Sequence, residues 1–255
     1  MNTQASRVTG MPGTGINLAS ASQIASGRAL APADLAKLQT WFSPAFPVGA
    51  FSYSHGLEWA VEAGEVSNAR QLERWIEGLL RHGSGRSDLI MLGAMWRAVC
   101  GGDWSAAGEV TALAAAFQPT LERRLESLGQ GTAFLSAVAA VWPHPALARF
   151  QRVFPRETAL PVAVGVAAAA HGLPLEAVLV ASLQAFSANL VSAGVRLIPL
   201  GQTDGLRVLA ALESVVLEVA REARDAGLDD LGSACALADI ASMCHETQYT
   251  RLFRS

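Results

Sequence analysis

Two long stretches without a charged side chain limit the fold more than any other feature. They run over residues 158–175 and 177–195, parted by Glu176 alone and closed by Arg196. Each is near the length of a membrane span, which needs about 20 apolar residues. Their composition points elsewhere, because they lean on Ala, Ser and Gly rather than Leu, Ile and Phe, and they contain Pro161, Pro174, Gln184 and Asn189. Alanine gives little transfer energy into lipid, so two buried helices of a soluble core are the favoured reading. A membrane-embedded helical protein is the alternative, separable by simple fractionation.

The remaining pattern is helical almost throughout. Leu35, Leu38, Trp41 and Phe42 fall on one stripe over residues 34–42. Ser43-Pro44-Ala45-Phe46-Pro47-Val48-Gly49 breaks it, since two prolines and a glycine cannot continue a helix. Helical spacing resumes over 55–62 and stops at Gly64, and Ser67 is placed to cap a helix with Leu72, Trp75, Ile76, Leu79 and Leu80 on one face. Ser87-Asp88 opens another helix that ends near Cys100, Asp103 caps 104–117, and Pro119 precedes a helix over 120–142. A helix or broken helix crosses 147–154, and the two uncharged helices follow it. Asp204 caps a long helix to about Ala226, residues 228–233 read as a polar turn, and 235–243 as a short helix. No segment alternates with period two, no internal repeat occurs, and no linker follows residue 31. The chain is therefore read as all-α, a single globular helical domain of about ten helices over residues 32–255. A disordered, Ser/Ala/Gly-rich tail over residues 1–31 precedes it, with no apolar run of the secretory kind.

Composition excludes several functions. Of 19 basic residues, Lys37 is the only lysine, so no P-loop lysine reaches a phosphate and a Schiff base is possible only there. A net charge of −3 argues against nucleic acid as a partner, because counterion release needs clustered cations. Cys100, Cys235 and Cys244 form no CxxC pair and suit a reducing cytosol. Charged residues make up 16% of the chain against about 25% in an ordinary soluble domain. The thin coat of charge points to a surface covered in part by other proteins.

Catalytic signatures are absent: the chain has no HExxH, GxSxG or GxGxxG, and its five histidines are scattered. No catalytic residue is assigned. The most metal-like pair is Cys244-His245, yet adjacent helical residues point about 100° apart and chelate one ion poorly. Two such pairs across a two-fold axis would give a Cys₂His₂ shell; otherwise Cys244 is a small residue and His245 a hydrogen-bonding group. Glu122-Arg123-Arg124 with Glu126 reads as a solvated helix face or a contact surface, and an arginine there has the chemistry to act on a GTPase partner. Two segments are unlike fold filler. Residues 43–62 leave Phe46, Phe51 and Tyr53 in a proline-rich loop. The last eleven residues interleave Tyr249, Leu252 and Phe253 with Arg251 and Arg254, the residue types favoured at interface cores.

Three blocks carry a resemblance. They are Ser43-Pro44…Pro47-Val48-Gly49…Phe51-Ser52-Tyr53-Ser54…Gly56-Leu57-Glu58, then Asn189-Leu190-Val191…Val195-Arg196-Leu197-Ile198-Pro199-Leu200-Gly201-Gln202-Thr203, and last His245-Glu246-Thr247-Gln248-Tyr249-Thr250-Arg251-Leu252-Phe253-Arg254-Ser255. In this order, over roughly residues 33–255, the sequence resembles the urease accessory protein F family. The chain departs from the family pattern in keeping only Glu122 and Arg124 of an acidic-basic run, and in carrying Cys235-Ala236 and Cys244. The resemblance implies an all-α, homodimeric adaptor in the cytoplasm. Such an adaptor joins the accessory protein D or H to the accessory GTPase G and engages the urease apoprotein, while nickel and GTP are handled by those partners and no cofactor is bound directly. It also implies partner contacts at Pro44, Pro47, Gly49, Phe51, Ser52, Tyr53, Glu58, Arg124 and Gln202. At the chain end it implies them at His245, Glu246, Gln248, Tyr249, Arg251, Leu252, Phe253 and Arg254. The alternative is a factor that activates or regulates the GTPase, through Arg124 or Glu58.

Overall fold

The long uncharged stretches become the helices Leu160–Ala170 and Leu175–Leu197, and their lack of charge is explained by what they pack against. The computed structural model describes residues 29–255. Among these are eleven α-helices, two short 3₁₀ turns and no strand. In chain order the helices are α1 Pro32–Trp41, α2 Leu57–Glu62, α3 Ala69–His82, α4 Ser84–Gly101 and α5 Trp104–Ala116. After them come α6 Leu121–Val141, α7 Pro145–Val153, α8 Leu160–Ala170, α9 Leu175–Leu197, α10 Gln202–Asp225 and α11 Ala236–His245. The expected tail over residues 1–31, with the glycine-rich run at Gly10–Gly15, lies almost wholly outside the described residues.

Helix α4 is the central element. Leu89, Ile90, Met91, Leu92, Met95 and Trp96 are all buried on it, and α3, α5, α8, α9 and α10 pack around them. Alanines and a glycine on α8 let it lie close to α4: a Cβ at Gly165 would fall 2.7 Å from the Leu92 carbonyl oxygen. Small residues here serve interhelical approach rather than lipid, which is why an alanine-rich uncharged helix sits at the centre. Helix α9 has the length and mean hydropathy (1.6) to cross a membrane, and 44% of that window is buried in this fold. Leu179, Leu183 and Leu190 face the core, whereas Val180, Ala181 and Ala188 border an open groove.

Several boundaries differ from the sequence reading for local reasons. Asn68, not Ser67, caps α3, its side chain accepting the Gln71 N–H. Helix α4 begins at Ser84, before the expected Ser87, because Gly83 already turns the chain out of α3. Asp204 lies inside α10 rather than before it, and its carboxylate reaches back to the Gly201 N–H at 3.3 Å. The segment starting at His55 becomes helical only at Leu57, since His55 and Gly56 have φ of 57° and 73°. Asp103 caps α5 as expected, whereas Thr120, read as the first residue of α6, is its cap, its side chain accepting the Arg123 N–H.

Candidate functional site

The His55-Gly56 kink builds the site. Two successive left-handed residues swing the chain from the loop into α2, and Gly56 lies on the main chain of α11: a Cβ there would be 2.7 Å from Ser242 N. This contact brings Glu58, on α2, beside His245 at the end of α11. Glu58 is buried and accepts the Leu252 N–H at 2.6 Å on Oε1 and the Phe253 N–H at 2.9 Å on Oε2. The same Oε2 lies 3.1 Å from His245 Nε2, while His245 Nδ1 lies 2.7 Å from Glu122 Oε2. Arg251 closes the set by donating to Glu122 Oε1 at 2.9 Å. The imidazole is thus held between two carboxyl groups, one at each ring nitrogen, and Arg251 supplies a positive charge beside them.

A second polar cluster lies one helical turn deeper. Arg123 and Glu126 form a buried ion pair on α6. His55 Nδ1 sits 2.8 Å from Arg123 Nη1 and 3.2 Å from Glu126 Oε1, and Gln130 and the Ser255 hydroxyl donate to Glu126 at 3.0 and 2.7 Å. Burial, then the neighbouring Arg123 charge, hold the His55 pKa well below its usual value. Burial pushes the Asp88 carboxyl up to about 6, with Arg123 pulling the other way. His55, Asp88 and Arg123 line both a small chamber of about 100 Å³ towards Asp239 and a cavity of about 300 Å³ towards Phe46 and Phe134.

The middle block of the sequence ties the outer two together. The Arg196 guanidinium, at the end of α9, stacks 3.6 Å from the Phe51 ring centre and 4.3 Å from that of Phe253. It also donates to the Phe51 carbonyl at 3.0 Å, and Asn189 donates to the Tyr53 carbonyl at 3.3 Å.

The expected contact residues thus divide into two kinds. His245, Glu58 and Phe253 are buried and hold the chain end in place. Pro44, Pro47, Gly49, Phe51, Glu246, Arg251, Leu252 and Arg254 are exposed, and Tyr249 is fully so. Ser52, Tyr53 and Gln248 are half-buried. Arg124 is exposed at the start of α6, between the exposed Leu121 and Leu125. Gln202 is exposed at the start of α10 and hydrogen-bonds neither segment. The Glu122–Glu126 run is not a solvated face: of its four charged residues Glu122, Arg123 and Glu126 are buried, and Arg124 alone is exposed.

The matches to known proteins fall on this same framework. A sequence model of the UreF family matches residues 66–213. A protein of Rhodopseudomonas palustris named urease accessory protein UreF is 54% identical over 223 residues, 88% of this chain and 92% of the relative. Proteins of the same name from Xanthobacter autotrophicus and Azorhizobium caulinodans are 52% and 50% identical, over 91% and 88% of this chain and 95% and 97% of their own lengths. The chain belongs to the UreF family.

As a UreF family member it is a urease accessory protein rather than urease itself. Cys244 and His245 do not converge on one point: the imidazole turns inward with both nitrogens facing carboxylates, while Cys244 is half-exposed. Among the described residues, no group of three or more His, Cys, Asp or Glu is placed to hold a metal ion. Sequence reasoning missed Ser54, His55, Asn189, Arg196 and Ser255 as parts of the site. All five stand within the spans of the three motif blocks, where their only signal was position.

Proposed function

We propose that this chain acts in urease maturation as a non-catalytic adaptor. It joins the accessory D or H protein to the accessory GTPase G and brings them to the urease apoprotein, in the cytoplasm. Nickel and GTP are carried by those partners. The observation that carries this reading is the division of labour at the chain end. Buried titratable groups that could do chemistry (Glu58, Glu122, His245) spend their hydrogen bonds on holding the segment. Tyr249, Leu252 and Arg254 then project outward, an aromatic, an aliphatic and a cation of the kind that anchor interfaces.

Homodimerisation is proposed for a second region. An open groove of about 1000 Å³ runs between α1, α9 and α10, bordered by Leu35, Val180, Ala181 and Ala188. Its rim carries Arg97 and Arg224 beside Glu176 and Asp225, a balanced set that suits a self-complementary contact. Regulation of the GTPase is retained as a second reading because Arg124 is exposed and flanked by exposed leucines. Co-expression with the accessory proteins and apo-urease, followed by mass measurement on size exclusion and nickel analysis, tests the adaptor. One assembly containing the GTPase and this chain as a dimer is expected; separate elution of the GTPase overturns it. GTP turnover that falls on Arg124→Ala favours the regulator, and an unchanged rate leaves the adaptor alone.

A further inference from the structure

The chain's last four residues are held the way a domain holds a peptide ligand. Three successive N–H groups are taken by the cleft: Leu252 and Phe253 by the two oxygens of Glu58, Arg254 by the Ser52 carbonyl at 2.8 Å. The Ser54 N–H and hydroxyl both donate to the Ser255 main-chain oxygen, the former at 2.7 Å. Side chains add selectivity. Phe253 is 4% exposed and stacks on Arg196, and the Ser255 hydroxyl donates to Glu126. Main-chain bonds set affinity and one buried aromatic sets specificity, the usual division in recognition of extended peptides.

We propose that this cleft, formed by Ser52, Ser54, Glu58, Glu126 and Arg196, is a peptide-recognition site, and that the C-terminal segment of a second copy of the chain can replace the one bound in cis. The segment that fits is present on every copy. It is joined to α11 through residues 246–251, of which Glu246, Thr247, Tyr249, Thr250 and Arg251 are exposed. Six such residues span up to about 20 Å when extended. A short terminal element leaving its own body for an identical cleft is the geometry of domain exchange. The proposal deepens the reading of this face as the contact surface, since exchange would place Tyr249 and Leu252 of one copy on the body of the other. It needs neither GTPase nor urease, so it stands or falls apart from the adaptor role.

The test mixes two full-length variants. Phe253→Ala keeps the cleft and weakens the segment; Glu58→Gln keeps the segment and spoils the cleft. Hydrogen exchange at residues 52–58 reads occupancy. Alone, the Phe253→Ala chain is expected to exchange there at least tenfold faster than wild type. In an equimolar mixture, slow exchange should return in up to all of its clefts as they take the Glu58→Gln segments. A free peptide of residues 246–255 should restore the same protection, and the peptide with alanine at position 253 should not. If Glu58→Gln does not fold, Arg196→Met supplies the spoiled cleft. A mixture whose exchange is the sum of the separate chains overturns the proposal, whether or not the free peptide binds.

Discussion

The two outward-facing regions of the molecule are built on opposite principles. At the chain end, directional bonds between buried charges fix a short segment so that Tyr249, Leu252 and Arg254 stand out from it. Along α1, α9 and α10 the wall of the open groove is mainly small and aliphatic, and polar bonding is confined to its rim, where Arg224 pairs with Glu176 and Asp225. Directional bonding fixes a shape that a partner can read, and it fails sharply when one member is lost. An apolar face tolerates single changes to the monomer and responds to what covers it.

That contrast gives graded predictions. The largest effect is expected for Glu58→Ala, which strands two backbone N–H groups and His245 in a buried site. It should cost on the order of 3–5 kcal/mol in a denaturant melt, and a cost below ~1 kcal/mol would mean the segment is held some other way. Asp88 comes next. Its pKa is raised from 3.8 to about 6 in the folded chain, so the native state binds the extra proton. Stability should therefore fall as pH rises from about 4 to 6 and stay lower above that, and Asp88→Asn should stabilise at pH 7 by on the order of 2 kcal/mol with a flatter pH profile. An unchanged profile would remove Asp88 from the buried polar region. Arg196→Met, which loses two ring contacts and a carbonyl bond, should cost about 1–2 kcal/mol and speed hydrogen exchange at residues 50–53 and 252–254 together. The smallest stability change, within about 0.5 kcal/mol, is expected for Leu206→Arg on the exposed side of α10. Its effect should appear instead as halved mass on size exclusion, and an unaltered dimer would place the self-contact elsewhere.

What was legible in the sequence follows the same contrast. Apolar periodicity marked the helices well, because Leu72, Ile76 and Leu80 or Leu212, Val216 and Val219 have few ways to be buried together. Asp103 was a readable cap, since its local hydrogen bonds need no distant partner. Glu58, Glu122 and His245 gave no sign of meeting, as they are joined across 187 and 123 positions of sequence by an approach that depends on Gly56. Glu122, Arg123 and Glu126 read as a solvated face or a contact surface and proved buried, because charge in a sequence says nothing about which partner lies opposite. Phe253 and Tyr249 looked alike at the chain end, yet one is buried on Arg196 and the other wholly exposed.

The most direct measurement of the central claim is the affinity of the accessory GTPase for the Tyr249→Ala/Leu252→Ala double variant, set beside its melting temperature. Both side chains are exposed and leave the buried cluster untouched. Binding at least tenfold weaker is expected, with a melting temperature within about 1 °C of wild type, a shift small for a chain of this size. Undiminished binding by a variant that melts like wild type would contradict it.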